Sequence, residues 1–163
     1  MENFGGVAGR MEQVSHDPRV IVDFAHTADG IEKALSALAP EACVVVFGAG
    51  GDRDRTKRPL MGQAAARWAK RLILTSDNPR HEDPDRIIEE IASGIPDGVA
   101  LQIEADRQKA ILLGLESLAP DEILVILGKG DEKTQQIGDI CHPFSDKEIV
   151  LQHLKESPVC NEK

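Results

Sequence analysis

Five short apolar runs, alternating with five segments of helical period, constrain this chain more than any other feature. The runs are Val20 to Val22, Cys43 to Phe47, Leu72 to Thr75, Val99 to Ile103 and Ile123 to Leu127. Most are apolar at every position, as strands covered on both faces are, and their alternation with helices is the pattern of βαβ units. The expected fold is therefore α/β and Rossmann-like: a mostly parallel sheet of about five to six strands with helices on both faces. Gln102 interrupts the fourth run and marks it as an edge strand.

The helices carry their own start and stop signals. Thr27 is placed to cap a helix over Ala28 to Leu38 that buries Ile31, Ala34, Leu35 and Leu38. A second opens at Pro59 and is expected to stack Leu60, Ala64 and Trp68 on its inner face. Asp83 and Pro84 start a third, with Ile87, Ile88 and Ile91 inward and Gly94 as its stop. A fourth spans Asp106 to Leu118, and Ser145-Asp146-Lys147-Glu148 is a capping box for a fifth. Alternating stretches within Gln135 to Phe144 suggest a hairpin. Residues 1–18, glycine-rich at first and weakly patterned, are expected to be a linker left from a preceding domain, so that the chain starts within a longer protein. The domain proper is expected over 19–156, with 157–163 a disordered tail.

A chain of 163 residues is long enough to bury one core without staples. Its net charge of −9 is spread along the sequence, which disfavours nucleic acid and anionic membrane as partners. Cys43, Cys141 and Cys160 form an odd set without CxxC spacing, which suits a reducing, cytoplasmic setting. No stretch approaches the ~18–20 apolar residues of a membrane span.

Ligands of open α/β sheets bind outside the carboxyl ends of the strands, and four of the five exits here are polar or glycine-rich. They are Asp23-Phe24-Ala25-His26-Thr27, Gly48 through Pro59, Ser76-Asp77-Asn78-Pro79-Arg80-His81, and Gly128-Lys129-Gly130-Asp131-Glu132-Lys133. The second exit can be read as a tight turn. It is a poor dinucleotide fingerprint, because GxGxxG counted from Gly48 puts Arg53 at the last glycine, and GxxxxGK[ST] occurs nowhere. Its cations Arg53, Arg55, Lys57 and Arg58 beside exposed amides point instead to a phosphate or carboxylate guest. Asp77-Asn78-Pro79-Arg80 reads either as an Asx-type turn or as a device that aims a guanidinium, an amide and a carboxylate at a zwitterion. Asp23 and His26 read equally as an ordinary polar exit, His81 reads as a surface histidine, and no histidine has metal-ligand spacing.

In this order and spacing the clusters resemble the C-terminal domain of the Mur ligases, most of all the branch that adds the third residue of the peptide. The family pattern DYAHTPD, GGDRDxxKRPLM, DNPR with a following acidic stretch and proline, and GKGHE is matched by Asp23 to Asp29, Gly50 to Met61, Asp77 to Arg80 with Glu82-Asp83-Pro84, and Gly128 to Glu132. The resemblance covers about Gly9 to Leu154. It implies an ATP-dependent acid–amino-acid ligase of peptidoglycan precursor synthesis. In that reaction ATP phosphorylates the D-glutamate carboxylate of UDP-N-acetylmuramoyl-L-alanyl-D-glutamate, and the amine of meso-diaminopimelate attacks the acyl phosphate. Arg53, Asp77, Asn78, Pro79, Arg80, Gly128 and Glu132 resemble the diaminopimelate-binding set. Asp23, His26 and Lys57 resemble residues that reach the nucleotide. ATP and Mg²⁺ would be bound mainly by a central P-loop domain that this chain lacks, so the chain alone is expected to be inactive. Phe24, Ala28 and Asp131 depart from the family's tyrosine, proline and histidine, and the last leaves the role of that position open. A lysine-adding ligase of the same family and a free-standing nucleotide or amino-acid binding module are the alternatives.

Overall fold

The computed structural model describes residues 7–157. In chain order the strands are β1 (Glu12–His16), β2 (Arg19–Asp23), β3 (Ala42–Phe47), β4 (Ala69–Leu74), β5 (Leu101–Ile103), β6 (Glu122–Leu127), β7 (Thr134–Ile137) and β8 (Ile140–Pro143). The helices are α1 (Ala28–Ser36), α2 (Arg58–Trp68), α3 (Pro84–Ala92), α4 (Arg107–Ser117) and α5 (Asp146–Glu156). The side chains of Thr27, Asp83, Asp106 and Ser145 each accept a hydrogen bond from an amide in the first turn; three of these sit at expected helix starts, while Asp106, expected inside the fourth helix, caps it instead.

The main sheet runs β1-β2-β6-β3-β4-β5, and every pairing is parallel except β1 with β2. This is the Rossmann-like layered architecture, with β6 inserted between β2 and β3. Alternate residues of the central strands feed two cores. Ile21, Val45, Leu72, Leu74 and Val125 meet α1, α2 and α3 on one face. Val22, Val44, Val46, Ile73 and Ile126 meet α4 and α5 on the other. Burial on both faces is what makes these strands apolar at consecutive positions. The short β5 lies at the sheet's edge, where Gln102 is exposed. The expected hairpin forms as the separate pair β7–β8.

Two expectations are corrected. The stretch 1–18 is not linker throughout: Glu12–His16 is the edge strand of the main sheet, so the domain's sheet begins before residue 19. This antiparallel strand has one outer edge unpaired among the described residues and packs mainly Val14 onto a core, so it carries little apolar pattern. Residues 1–6 and the tail beyond Ser157 lie outside the described residues. The inner face of α2 also differs. Leu60 is 52% and Trp68 37% exposed, while Met61, Gly62, Ala64 and Ala65 are buried. A Cβ on Gly62 would fall 2.2 Å from the carbonyl oxygen of Ile91, so α2 lies too close to α3 for large side chains between them.

Candidate functional site

Parallel strands release their exits at one rim, and the exits of β2, β3, β4 and β6 surround a cleft of about 410 Å³. Of the residues expected to bind a ligand, His26, Arg53, Lys57 and Asp77 line it. Asn78, Arg80, Gly128 and Glu132 line it as well.

Small residues let these exits touch. Gly51 N–H donates to Asn78 O at 2.7 Å, and a Cβ on Gly51 would fall 1.8 Å from Pro79 O. Gly128 has φ +115, and a Cβ there would fall 2.5 Å from Asp77 Oδ2. Neither position admits a side chain without displacing its neighbour, for backbone shape at Gly128 as well as for space. Pro79 does not line the cleft; its part is to form this crossing.

Arg80 adopts φ +51, a left-handed conformation that is uncommon for a non-glycine residue. The β7–β8 hairpin holds it there. Arg80 N–H donates to Gln136 O at 3.1 Å, and Gly138 N–H donates to Arg80 O at 2.7 Å. On the other side, Arg80 Nη1 donates to Gly51 O at 2.8 Å. Held at backbone and side chain, the guanidinium is positioned at the cleft by two segments distant in sequence.

Opposite it, the sequence reading had passed over Lys129. Its side chain has no exposure, and Nζ donates to Asn78 Oδ1 at 2.8 Å and Thr134 O at 3.0 Å. Glu132 Oε2 lies at 3.4 Å and Asp77 Oδ1 at 3.3 Å. Gln136 N–H also donates to Asn78 Oδ1, at 2.9 Å, and Gln135 Nε2 to Asp77 O, at 2.8 Å. A lysine between two glycines reads as a free cation; the expected hairpin at Gln135 to Phe144 was the one sign that chain would fold over it.

The cations after β3 divide into two groups. Arg58 is buried, with Nη2 2.6 Å from Glu82 Oε2, Nη1 2.8 Å from Glu90 Oε2, and Gly50 O accepting a further bond at 3.0 Å. The hydrogen bond to Arg58 holds the Glu82 carboxyl below its usual range, and Glu82 also accepts from Asp52 N–H at 2.6 Å. Arg55 pairs with Glu90. These two arginines fasten the loop to α3 and are not the free anion receptors that the sequence suggested. Arg53 and Lys57 are exposed on the cleft without an ion pair among the described residues.

Asp23 departs from expectation too. Its oxygens accept from Met11 N–H and Ala25 N–H, both at 2.8 Å, so the buried carboxylate shapes the β2 exit and does not line the cleft. His26 does line it, with Nδ1 2.9 Å from Phe24 O and its ring edge-on to Phe24. His81 is exposed as expected, yet it bridges Asp52 and Asp139. Asp131 is exposed on the β6 exit. Among the described residues no group of three or more His, Cys, Asp or Glu side chains is placed to hold a metal ion. No ligand set of this kind for the Mg²⁺ expected with ATP is present among the described residues of the cleft.

A family model described as Mur ligase, glutamate ligase domain, matches residues 9–156. Over 154 residues the chain is 55% identical to UDP-N-acetylmuramoyl-L-alanyl-D-glutamate–2,6-diaminopimelate ligase of Helicobacter hepaticus, covering 94% of this chain and 33% of that protein. It is 54% identical over 155 residues to the protein of the same name from Wolinella succinogenes, covering 95% and 36%. A solved structure of a ligase with this name superposes with a TM-score of 0.85 at 41% identity, over 92% of this chain and 32% of that one. The bifunctional folylpolyglutamate synthase/dihydrofolate synthase from Yersinia pestis shares the fold, with a TM-score of 0.61 at 16% identity over 92% of this chain and 32% of that one. The chain spans about a third of the length of the curated relatives it matches.

Proposed function

As the chain belongs to the Mur ligase family, within its glutamate ligase domain, we propose that its cleft holds meso-diaminopimelate for an ATP-dependent ligase. That ligase joins it to UDP-N-acetylmuramoyl-L-alanyl-D-glutamate. The observation that carries this reading is that Arg80, Asn78 and Glu132 line one cleft. A fixed guanidinium and an amide suit a carboxylate, and a carboxylate beside them suits an ammonium. Diaminopimelate carries such a zwitterionic centre at its far end, where lysine has only an amine. The diaminopimelate ligases at 54–55% identity support this choice over the lysine-adding alternative.

ATP, when bound, supplies the phosphoryl group that turns an unreactive carboxylate into an acyl phosphate. His26 and Lys57 are the residues of this chain that would meet the nucleotide, with Arg53 between it and the amino acid. The domain's own work is to bind the amino acid at its far end, so that the attacking amine is presented in a fixed direction and water is kept from the acyl phosphate. The activated substrate and the P-loop belong to the part of the ligase outside this chain.

Titration of the ¹⁵N-labelled chain with meso-diaminopimelate tests the reading. Shifts should concentrate at residues 77–80 and 128–132, and Arg80→Ala should weaken binding by more than about tenfold, since loss of a charged partner in a desolvated site costs ~2–5 kcal/mol. Lysine matching diaminopimelate in affinity, or an Arg80→Ala variant that binds as the parent does, would reject it.

A further inference from the structure

We propose that Lys129 is a positioning residue that sets the hydrogen-bonding direction of the cleft, presenting Asn78 as a donor and Glu132 as a one-sided acceptor. This rests on the reading of the cleft as a diaminopimelate site and adds what orients it.

An amide has one accepting end and one donating end, and chemistry decides which way Asn78 faces. One end receives Lys129 Nζ at 2.8 Å and Gln136 N–H at 2.9 Å. Both of these groups are donors only, so that end is Oδ1. The NH₂ group is thereby turned away from them and toward Glu132 Oε2, at 3.5 Å. A ligand that meets Asn78 meets N–H groups, which suit a carboxylate.

Glu132 is biased in the same way. Its Oε2 faces both Lys129 Nζ at 3.4 Å and Asn78 Nδ2 at 3.5 Å, leaving Oε1 for an incoming ammonium. The ammonium of Lys129 spends its three protons on Asn78 Oδ1, Thr134 O and the Glu132–Asp77 pair. With its side chain wholly buried, it has none left for a ligand and acts only through its neighbours. It also places one positive charge between the carboxylates of Asp77 and Glu132, which would otherwise oppose a ligand carboxylate with no compensation from this side.

Removing the ammonium while keeping the stem, as in Lys129→Met, takes one donor from Asn78 Oδ1 and frees the amide to turn its oxygen toward the cleft. The loss then falls on the ligand's far carboxylate. Lysine lacks that group, so it serves as the control that a merely structural role would not pass. In ¹⁵N-resolved titrations, Lys129→Met should weaken meso-diaminopimelate by about tenfold or more and lysine, which meets only Glu132 there, by severalfold less. The Asn78 side-chain NH₂ resonances, sharp and separated in the unaltered chain, should shift and broaden in the variant before any ligand is added. Equal weakening of both ligands, or unchanged Asn78 resonances, would overturn the proposal.

If Lys129→Met does not fold, Asn78→Asp decides instead. It keeps an acceptor for Lys129 but offers the cleft no N–H, so the preference for diaminopimelate over lysine should collapse by the same factor. An intact preference in Asn78→Asp would overturn the proposal. If the unaltered chain binds neither ligand, the diaminopimelate reading fails by itself. The Asn78 resonances of Lys129→Met then still decide whether Lys129 sets the amide's direction.

Discussion

His81 sits between two carboxylates, with Nδ1 2.9 Å from Asp52 and Nε2 2.8 Å from Asp139. It thus ties the β3 exit and the β7–β8 turn to the loop that carries Arg80. The hydrogen bond to Asp52 first, and then that to Asp139, raises the imidazole above its ordinary value near 6.5, while the same bond to His81 lowers the Asp52 carboxyl. The nearby guanidinium of Arg80 also lowers Asp52. A group whose folded value is raised stabilises fully below its unfolded value and loses that contribution as pH rises through the folded one. Asp52 adds its share above the unfolded carboxylate value and loses it as pH falls. The clamp should therefore be strongest in mildly acidic solution and open as His81 deprotonates. In an NMR titration His81 should show its inflection above the ordinary value of 6.5, and the melting-temperature gap between the parent and His81→Gln should narrow as pH rises past it. An inflection at or below 6.5, or a gap that widens with pH, contradicts this reading. Arg80, Asn78 and Glu132 were legible as a set only through the resemblance to the Mur ligases; residue chemistry alone leaves Asp77 to Arg80 open between an Asx-type turn and a ligand-facing device. It did not give the buried state of Lys129 or the pairing of Arg58, since both depend on what folds back over them.

At the scale of elements, the central strands and most helix starts were legible because each has a local cause: burial on both faces for β3 and β6, a side-chain acceptor at Thr27, Asp83 and Ser145. Strand β1 was not legible, since Gln13 and His16 are exposed, Glu12 is polar and pairs with Lys147 of α5, and only the pairing with β2 defines the strand. The inner face of α2 was misread because periodicity weights Leu60 and Trp68, whereas the close approach to α3 selects Gly62 and Ala65. The same economy of space governs the β3 exit, where two adjacent glycines should answer substitution differently. A Cβ on Gly51 would meet backbone, 1.8 Å from Pro79 O, but a Cβ on Gly50 would meet the end of a side chain, 2.9 Å from Arg80 Nη1. Gly51→Ala must move the β4 exit and should destabilise the fold by about 1–3 kcal/mol or more, as overpacking does. Gly50→Ala can be relieved by swinging Arg80, so it should cost under about 1 kcal/mol in a urea melt yet weaken diaminopimelate severalfold. Equal losses of stability in the two variants would show that the crossing is not the tight contact described.

Across the whole molecule, one buried ion pair joins the helical layer to the rim. Arg107, at the start of α4, directs Nε and Nη2 to Asp146 at 2.8 and 2.7 Å, and Asp146 opens α5. The remaining donors reach Ser76 O and Leu127 O, each at 3.1 Å, where β4 and β6 end and the loops with Asp77 and Gly128 begin. Both side chains are wholly buried, yet no polar atom of the pair is left without a partner. Such a pair adds little net stability over an apolar replacement, because desolvation offsets the attraction, but breaking it from one side leaves a charge stranded. Asp146→Ala should therefore lower stability by about 3–5 kcal/mol, since Arg107 would keep its charge with only two carbonyls to answer it. The double replacement Arg107→Met with Asp146→Leu should recover a large part of that loss, giving a coupling energy well above the ~0.3–0.5 kcal/mol of independent sites. It should not recover ligand binding, because the carbonyls of Ser76 and Leu127 would lose the donor that holds the two exits side by side. Urea melts of the single and double variants, each followed by a diaminopimelate titration, separate the two effects. A double variant that regains both stability and affinity would mean that the ion pair merely fills space; one no more stable than Asp146→Ala would mean that the carbonyl contacts, not the charge pair, carry the stability.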